Sequence, residues 1–148
     1  AFGGDIIGAD GEVDRRSLGG KVFGNPDGLK KLTDIVWPAI MRMAEIEIAN
    51  AKAKDPRRAV VLEAAVLIEA EWLGLVDQVW VTVVEPGIAI ERASARDGVD
   101  ATAVQARIDA QLSNEERIAK AHEVIHNSLD QDHLIEQIRP LWAAISTF

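Results

Sequence analysis

Apolar residues recur every three or four positions along much of the chain, which is the spacing of amphipathic α-helices. Between these stretches lie shorter runs that are continuously apolar or rich in β-branched residues, which is typical of strands in a buried sheet. The first pattern predicts helices at 15–23, 25–37, 40–54, 66–72, 87–97, 100–112, 113–121 and from residue 130 onward.

Polar and special residues mark where several of these helices begin and end. Asp100 is a suitable N-cap, and Ser113 with Glu116 has the spacing of a capping box. Gly98 is placed to close the helix before it. Pro38 lacks a backbone N–H, so we expect it to break or kink the helix around it.

Three short runs are predicted to be strands, at 59–62, 78–84 and 123–127. Helices separate them, and strands that alternate with helices predict an α/β fold with a parallel sheet. No linker or internal repeat divides the chain, so residues 1–148 are expected to form a single domain with helical regions at about 15–54 and 87–121.

Composition narrows the class of protein. Hydrophobic residues make up 48% and charged residues 27% of the 148 positions, which is typical of a globular chain. The formal charge of −8 disfavours nonspecific binding to nucleic acid or anionic lipid, and no apolar run is long enough to cross a bilayer. Cysteine is absent, which excludes disulfides and thiolate chemistry.

Two polar residues follow predicted strands directly. Glu63 comes after the first strand and Asn127 ends the third, and open parallel sheets bind ligands at the carboxyl ends of their strands. A carboxylate there can hold Mg²⁺ through water or accept a proton from an attacking hydroxyl. Alternatively, Glu63 caps the following helix or pairs with an arginine.

The helical stretch after the second strand is rich in arginine, with Arg92, Arg96, Arg107 and Arg117. Arg92 and Arg96 are four positions apart and therefore share a helix face. Guanidinium groups match phosphate geometry and stay charged, as a lid over transferred phosphates requires. The alternative is a solvated face paired with Glu91, Asp97 or Asp100.

Histidine and tryptophan do not add a site. His122 and His126 are four apart, but one is predicted at a helix end and the other in a strand, so they do not form a zinc pair and no metal site is expected in this chain. The four tryptophans lie within apolar patterns and are expected in the core: Trp37, Trp72, Trp80 and Trp142.

Several phrases of the sequence, read in order, resemble the dephospho-coenzyme A kinase family. They are Phe2-Gly3-x-Asp5-Ile6-Ile7, Asp10-Gly11-x-Val13-Asp14-Arg15, Val22-Phe23-Gly24-Asn25, Leu32 to Ile40, Val60 to Glu69, Arg92-x-x-x-Arg96-Asp97-Gly98, Ala106-Arg107-Ile108, Glu116-Arg117 and Val124-Ile125-x-Asn127-Ser128. Glu63 stands where the family has aspartate, whereas Glu69 keeps the family residue. The resemblance covers nearly the whole chain.

The resemblance implies a P-loop kinase-like fold with a helical lid. It implies ATP-dependent phosphorylation of the ribose 3′-hydroxyl of dephospho-coenzyme A, with Mg²⁺, as the last step of coenzyme A biosynthesis in the cytoplasm or in mitochondria. It implies that Arg92 and Arg96 are catalytic lid residues and that Asn127 binds the nucleotide. It also implies that four residues bind the substrate: Arg15, Glu63, Glu69 and Arg107.

The 148 residues depart from the family most clearly in their phosphate loop. A Gly-x-x-x-x-Gly-Lys run followed by Ser or Thr is needed to hold the phosphates, and Gly19-Gly20-Lys21-Val22 is the nearest approach. We therefore expect the family's first strand and its loop to be missing here and the chain alone to be inactive. The alternative is an inactive binding or assembly module whose sheet another chain completes.

Overall fold

The computed structural model describes residues 1–145, which divide into two compact units, Ala1–Asn50 and the residues from Ala51 onward. Its helices are α1 (Arg15–Val22), α2 (Pro26–Lys54), α3 (Pro86–Asp97), α4 (Ala101–Asp109), α5 (Asn114–Ile118) and α6 (Gln131–Ile145). Its strands are β1 (Trp80–Val83) and β2 (Glu123–His126), and two 3₁₀ turns cover Gly4–Ile6 and Trp72–Leu75.

The first unit begins with a tight turn that leads into α1. An isolated antiparallel bridge joins Ile7 to Val13 and closes this turn. The Asp14 carboxylate then accepts hydrogen bonds from the backbone N–H groups of Arg16 and Ser17 and so caps α1. The predicted helix at 15–23 is confirmed.

Helix α2 does not break at Pro38, where the sequence predicted a break or a kink. The helix runs from Pro26 to Lys54 through Pro38, where the sequence predicted two helices. Proline removes one backbone hydrogen bond and does not prevent its neighbours from forming theirs, so amphipathic turns on both sides carry the helix through this position. Asn25 accepts a hydrogen bond from the N–H of Gly28 at the start.

The second unit is built around a two-stranded parallel sheet. Strand β1 pairs with β2 in a register that places Val81 opposite Val124. Val79, Val81 and Val83 are buried together, whereas Thr82 between them is exposed. On the opposite face Ile125, the β2 partner of Thr82, is buried at 5% exposure, so both faces of the sheet carry buried residues.

The prediction of a buried strand at 59–62 is wrong. These residues have no regular secondary structure and pair with no strand in the described part of the chain, and Val61 is 74% exposed. The sequence showed a suitable composition, but a strand also needs a partner. The helix predicted at 66–72 is instead a series of turns that ends in the 3₁₀ turn at Trp72, whose side chain is buried.

Three short helices follow β1, as the sequence predicted. Gly98 ends α3 with a left-handed φ of 65°, Asp100 caps α4, and Ser113 forms the predicted capping box with Glu116 at the start of α5. The chain then returns as β2 and leaves in α6. The predicted α/β class is confirmed, and no helix of residues 1–145 is long and apolar enough to span a membrane.

Candidate functional site at the carboxyl end of the sheet

The carboxyl ends of the two strands meet and are tied together by hydrogen bonds. The N–H of Asn127 donates to the carbonyl of Val83 at 2.8 Å, which continues the ladder one residue past β2. The N–H of Glu85 donates to Oγ of Ser128 at 3.1 Å. The segment from His126 to Leu129 is therefore held against the end of β1, at the edge where parallel sheets bind ligands.

Arg92 and Asn127, two of the predicted site residues, are brought into contact. Arg92 projects from α3, and its Nη1 donates to the backbone carbonyl of Asn127 at 2.6 Å and lies 3.4 Å from Oδ1 of the same residue. Its Nη2 donates to the carbonyl of Leu129 at 2.9 Å. One guanidinium group thus joins α3 to the segment after β2.

Gln137 holds the same segment from the opposite side and was not identified from the sequence. Its Oε1 accepts from the N–H of His126 at 2.9 Å, and its Nε2 donates to the carbonyl of His126 at 2.8 Å. These two groups of His126 point away from β1, because alternate residues of a strand pair in opposite directions. Since the partner is backbone, no sequence motif marks Gln137.

A cleft of about 240 Å³ opens beside these strand ends. Asn114 lines it and donates from Nδ2 to the carbonyl of Val84 at 3.3 Å. The other lining residues combine apolar and polar side chains: Val83, Glu85, Pro86, Glu115, Ile118, His126 and Ser128. The cleft therefore offers apolar surface together with several hydrogen-bonding groups, as small-molecule sites commonly do.

Arg96 and Arg107 form a second cluster around one carboxylate. Nε and Nη2 of Arg96 donate to the two carboxylate oxygens of Asp97 at 2.7 and 2.9 Å, and Nη1 of Arg107 lies 3.7 Å from Asp97. The hydrogen bond from Arg96 holds the pKa of Asp97 below its ordinary value. The cluster keeps a net positive charge, and the Arg96 and Arg107 side chains are 75% and 61% exposed.

Three predicted residues remain, Glu69, Arg15 and Glu63. Glu69 pairs with Arg117, whose Nη2 is 3.0 Å from Oε1 of Glu69. Arg15 is exposed at the start of α1 in the first unit, and Glu63 is exposed in the irregular segment that follows residue 62. Neither Arg15 nor Glu63 forms a side-chain hydrogen bond or ion pair within residues 1–145.

The histidines have local roles. Nδ1 of His122 accepts from the N–H of Val79 at 2.9 Å, so this ring links the residues that immediately precede the two strands. Among the described residues, no group of three histidine or acidic side chains is arranged to hold a metal ion.

Parallel strands whose carboxyl ends meet an arginine-bearing helix suit the binding of phosphorylated ligands, and comparisons with known proteins identify the class as a nucleotide-dependent kinase. The family model for dephospho-CoA kinase matches residues 1–132. A dephospho-CoA kinase of Geobacter sulfurreducens is 36% identical over 143 residues, which is 97% of this chain and 72% of that protein. One from Bacillus cereus is 38% identical over 130 residues, which is 85% of this chain and 62% of that protein.

Two solved structures have a similar fold over most of this chain. A crystal structure from Thermus thermophilus superposes with a TM-score of 0.75 at 26% identity and covers 97% of this chain and 72% of its own. The dephospho-CoA kinase of Campylobacter jejuni has the same fold, with a TM-score of 0.63 at 24% identity, and covers 95% of this chain and 69% of its own. The chain belongs to the dephospho-CoA kinase family, as its sequence motifs predicted.

Proposed function

We propose that the protein transfers the γ-phosphoryl group of ATP to the ribose 3′-hydroxyl of dephospho-coenzyme A, and that Arg96 and Arg107 act on the transferred phosphates. The family match supports the reaction. The observation that carries the residue assignment is the shared carboxylate: Asp97 keeps two guanidinium groups from successive helices close together on an exposed surface. A phosphate group carries the charge that such a pair binds well.

Phosphoryl transfer requires little covalent chemistry from the protein itself. Phosphoryl transfer depends on positioning and on neutralising charge on the transferred group, which fixed guanidinium groups provide. Arg96 donates in a fork that fits either a carboxylate or a phosphate, so a phosphate can replace Asp97 as its partner. For Arg92, predicted to be catalytic as well, the contacts with the chain favour a positioning role.

Other parts of the site follow from the resemblance and stay predictions. Asn127 is assigned to the nucleotide base, and Arg15, Glu63 and Glu69 are assigned to the coenzyme. Mg²⁺ is expected to arrive with ATP and to neutralise phosphate charge. The resemblance implies no ligand for it in this chain. The bacterial relatives favour the cytoplasm rather than mitochondria as the compartment.

The experiment compares Arg96→Ala and Arg107→Ala with the unchanged protein as it is naturally encoded. Conversion of dephospho-coenzyme A is followed by ADP release and by the appearance of the 3′-phosphate. We expect kcat to fall by about 10²-fold or more in each variant, which is typical for loss of a charged group that stabilises a transition state. Arg139→Ala is the control, since this exposed arginine lies on α6.

The outcomes separate the reaction from the residue assignment. If the unchanged protein forms no 3′-phosphorylated product, the proposed reaction is wrong. If it is active and both variants keep their kcat, the assignment of the arginine pair is wrong.

The 148 residues by themselves are predicted to bind dephospho-coenzyme A without turning over ATP, because they contain no phosphate-loop motif. Calorimetric titration of this chain with the coenzyme and, separately, with MgATP tests this. Hydrolysis of ATP by the 148-residue chain would contradict the prediction. The alternative of an inactive assembly module gains no support from the family match.

A further inference from the structure

The segment His126–Leu129 is held by side chains from two helices that lie on either side of it. Gln137 of α6 binds both backbone groups of His126, and Arg92 of α3 binds the carbonyls of Asn127 and Leu129. Strand β1 and the residues after it supply two further hydrogen bonds. We propose that Gln137 and Arg92 are positioning residues that set Asn127 for binding the nucleotide base, an inference that rests on the proposed kinase function.

One edge of β2 has no neighbouring strand among residues 1–145. His126 directs its N–H and carbonyl away from β1, where another strand would pair in a wider sheet. The side-chain amide of Gln137 supplies one acceptor and one donor at this position, as a neighbouring strand would. The backbone immediately before Asn127 is therefore fixed by a side chain, even though β2 ends at His126.

The backbone of Asn127 is held at both of its hydrogen-bonding groups. Its N–H donates to the carbonyl of Val83, and its carbonyl accepts from Arg92. The fixed backbone sets the direction of the Asn127 Cα–Cβ bond and limits the rotamers that the side chain can adopt. A side chain that starts from a fixed backbone loses less entropy when it binds a ligand.

The contact with Arg92 also affects the orientation of the Asn127 side-chain amide. Nη1 of Arg92 lies 3.4 Å from Oδ1, which favours the orientation in which the oxygen faces the guanidinium group. Nδ2 then remains available to donate to an acceptor nitrogen of a base. Asparagine recognises adenine when Nδ2 donates to a ring nitrogen and Oδ1, through its second lone pair, accepts from the exocyclic amine, so the orientation of this amide affects the choice between ATP and GTP.

The geometry also bears on the role of Arg92. Its two terminal nitrogens are bound to backbone carbonyls of the chain, 35 and 37 residues away in sequence. Carbonyls within the protein bind the fork that would otherwise bind a phosphate. Arg92 is therefore expected to affect nucleotide binding more than the chemical step, in contrast to Arg96, whose carboxylate partner a phosphate can replace.

The test is steady-state kinetics on the naturally encoded protein with Gln137→Ala, Gln137→Glu and Arg92→Lys. The glutamate keeps the length of the side chain but cannot donate to the His126 carbonyl, and a single ammonium group cannot reproduce the two-carbonyl fork. For each variant we expect the KM for ATP to rise about ten-fold, as for a lost hydrogen-bonding pair, with kcat within about two-fold. We expect the KM for dephospho-coenzyme A to be unchanged and the preference for ATP over GTP to decrease.

Gln105→Ala is the matched control, because the side-chain hydrogen bond of Gln105 is to Asp109 of its own helix. Hydrogen exchange adds a readout that does not depend on activity: Gln137→Ala should expose the His126 amide to exchange, while the amide of Val81 in β1 stays protected.

Three results would overturn the proposal. One is an unchanged KM for ATP in the Gln137 variants when the unchanged protein is active. Another is an Arg92→Lys variant whose KM is unchanged but whose kcat falls by about two orders of magnitude, since that pattern indicates a phosphate contact. The third is a lower melting temperature without any change in nucleotide selectivity, which indicates a structural role alone. An inactive unchanged protein would instead contradict the proposed function, and the exchange of His126 would still report on Gln137.

Discussion

The carboxylate of Glu69 accepts a hydrogen bond from Nη2 of Arg117 at 3.0 Å, and both side chains are mostly buried, with 19% and 22% of their surface exposed. The same Nη2 donates to Oε1 of Gln111 at 2.9 Å. The pair joins the turns at 65–71 to α5, which are far apart in the sequence. Glu69 was predicted to bind substrate, and this contact provides a structural role that accounts for a carboxylate at this position.

Glu69→Ala should lower the free energy of unfolding by about 1–3 kcal/mol, because it leaves a partly buried guanidinium group without its carboxylate. Glu69→Gln keeps an acceptor and should cost less. Urea unfolding of both variants, together with Arg117→Ala and the double variant, gives the coupling energy of the pair. Unchanged stability with weaker binding of dephospho-coenzyme A would instead support the substrate-binding role.

The capping box at Ser113 is expected to stabilise the start of α5. Oγ of Ser113 accepts from the N–H of Glu116, and the Glu116 carboxylate accepts from the N–H of Ser113. Ser113→Ala should lower the free energy of unfolding by about 1 kcal/mol. Glu116→Gln retains an acceptor and is the matched control. Equal stability of the alanine variant and the unchanged protein would show that α5 does not need its cap.

The features that the sequence predicted correctly are those with a local cause. The ends of α3, α4 and α5 depend on Gly98, Asp100 and Ser113, whose effects reach only a few residues along the chain. One incorrect prediction depended on a distant partner. The run at 59–62 has the composition of a strand, but composition does not supply a strand to pair with.

The candidate site was predictable in its residue types but not in its contacts. Position after a strand pointed to Asn127, and spacing on a helix pointed to Arg92 and Arg96. That Arg92 binds the carbonyl of Asn127 depends on how α3 packs beside β2, which no local pattern records. Gln137 was missed because it binds only backbone groups, which every residue has.

The cap of α4 should give stability a pH dependence. Hydrogen bonds from the N–H and side chain of Thr102 and the N–H of Ala103 lower the pKa of Asp100 from its ordinary value of 3.8. A carboxylate whose pKa is lower in the folded state stabilises the protein above pH 3.8, and this contribution is lost as the pH falls through the folded-state pKa.

Asp100→Asn keeps a capping side chain that does not titrate. In urea unfolding between about pH 5 and pH 3, its free energy of unfolding should therefore decrease less than that of the unchanged protein. Parallel curves for the two proteins over this range would contradict the assignment.

Gly98 and Gly87 offer a paired test of how backbone conformation sets the turn between α3 and α4. At neither position does an added Cβ come within 4 Å of an atom beyond the local backbone, so alanine meets no clash with other parts of the described chain. Gly98 has a left-handed φ of 65°, whereas Gly87 lies within the first turn of α3. Gly98→Ala should therefore lower the free energy of unfolding by about 1–2 kcal/mol, and Gly87→Ala should raise it by about 0.5–1 kcal/mol. Urea unfolding of both variants measures this difference in sign, and a gain in stability at Gly98 would show that the turn does not require the left-handed conformation.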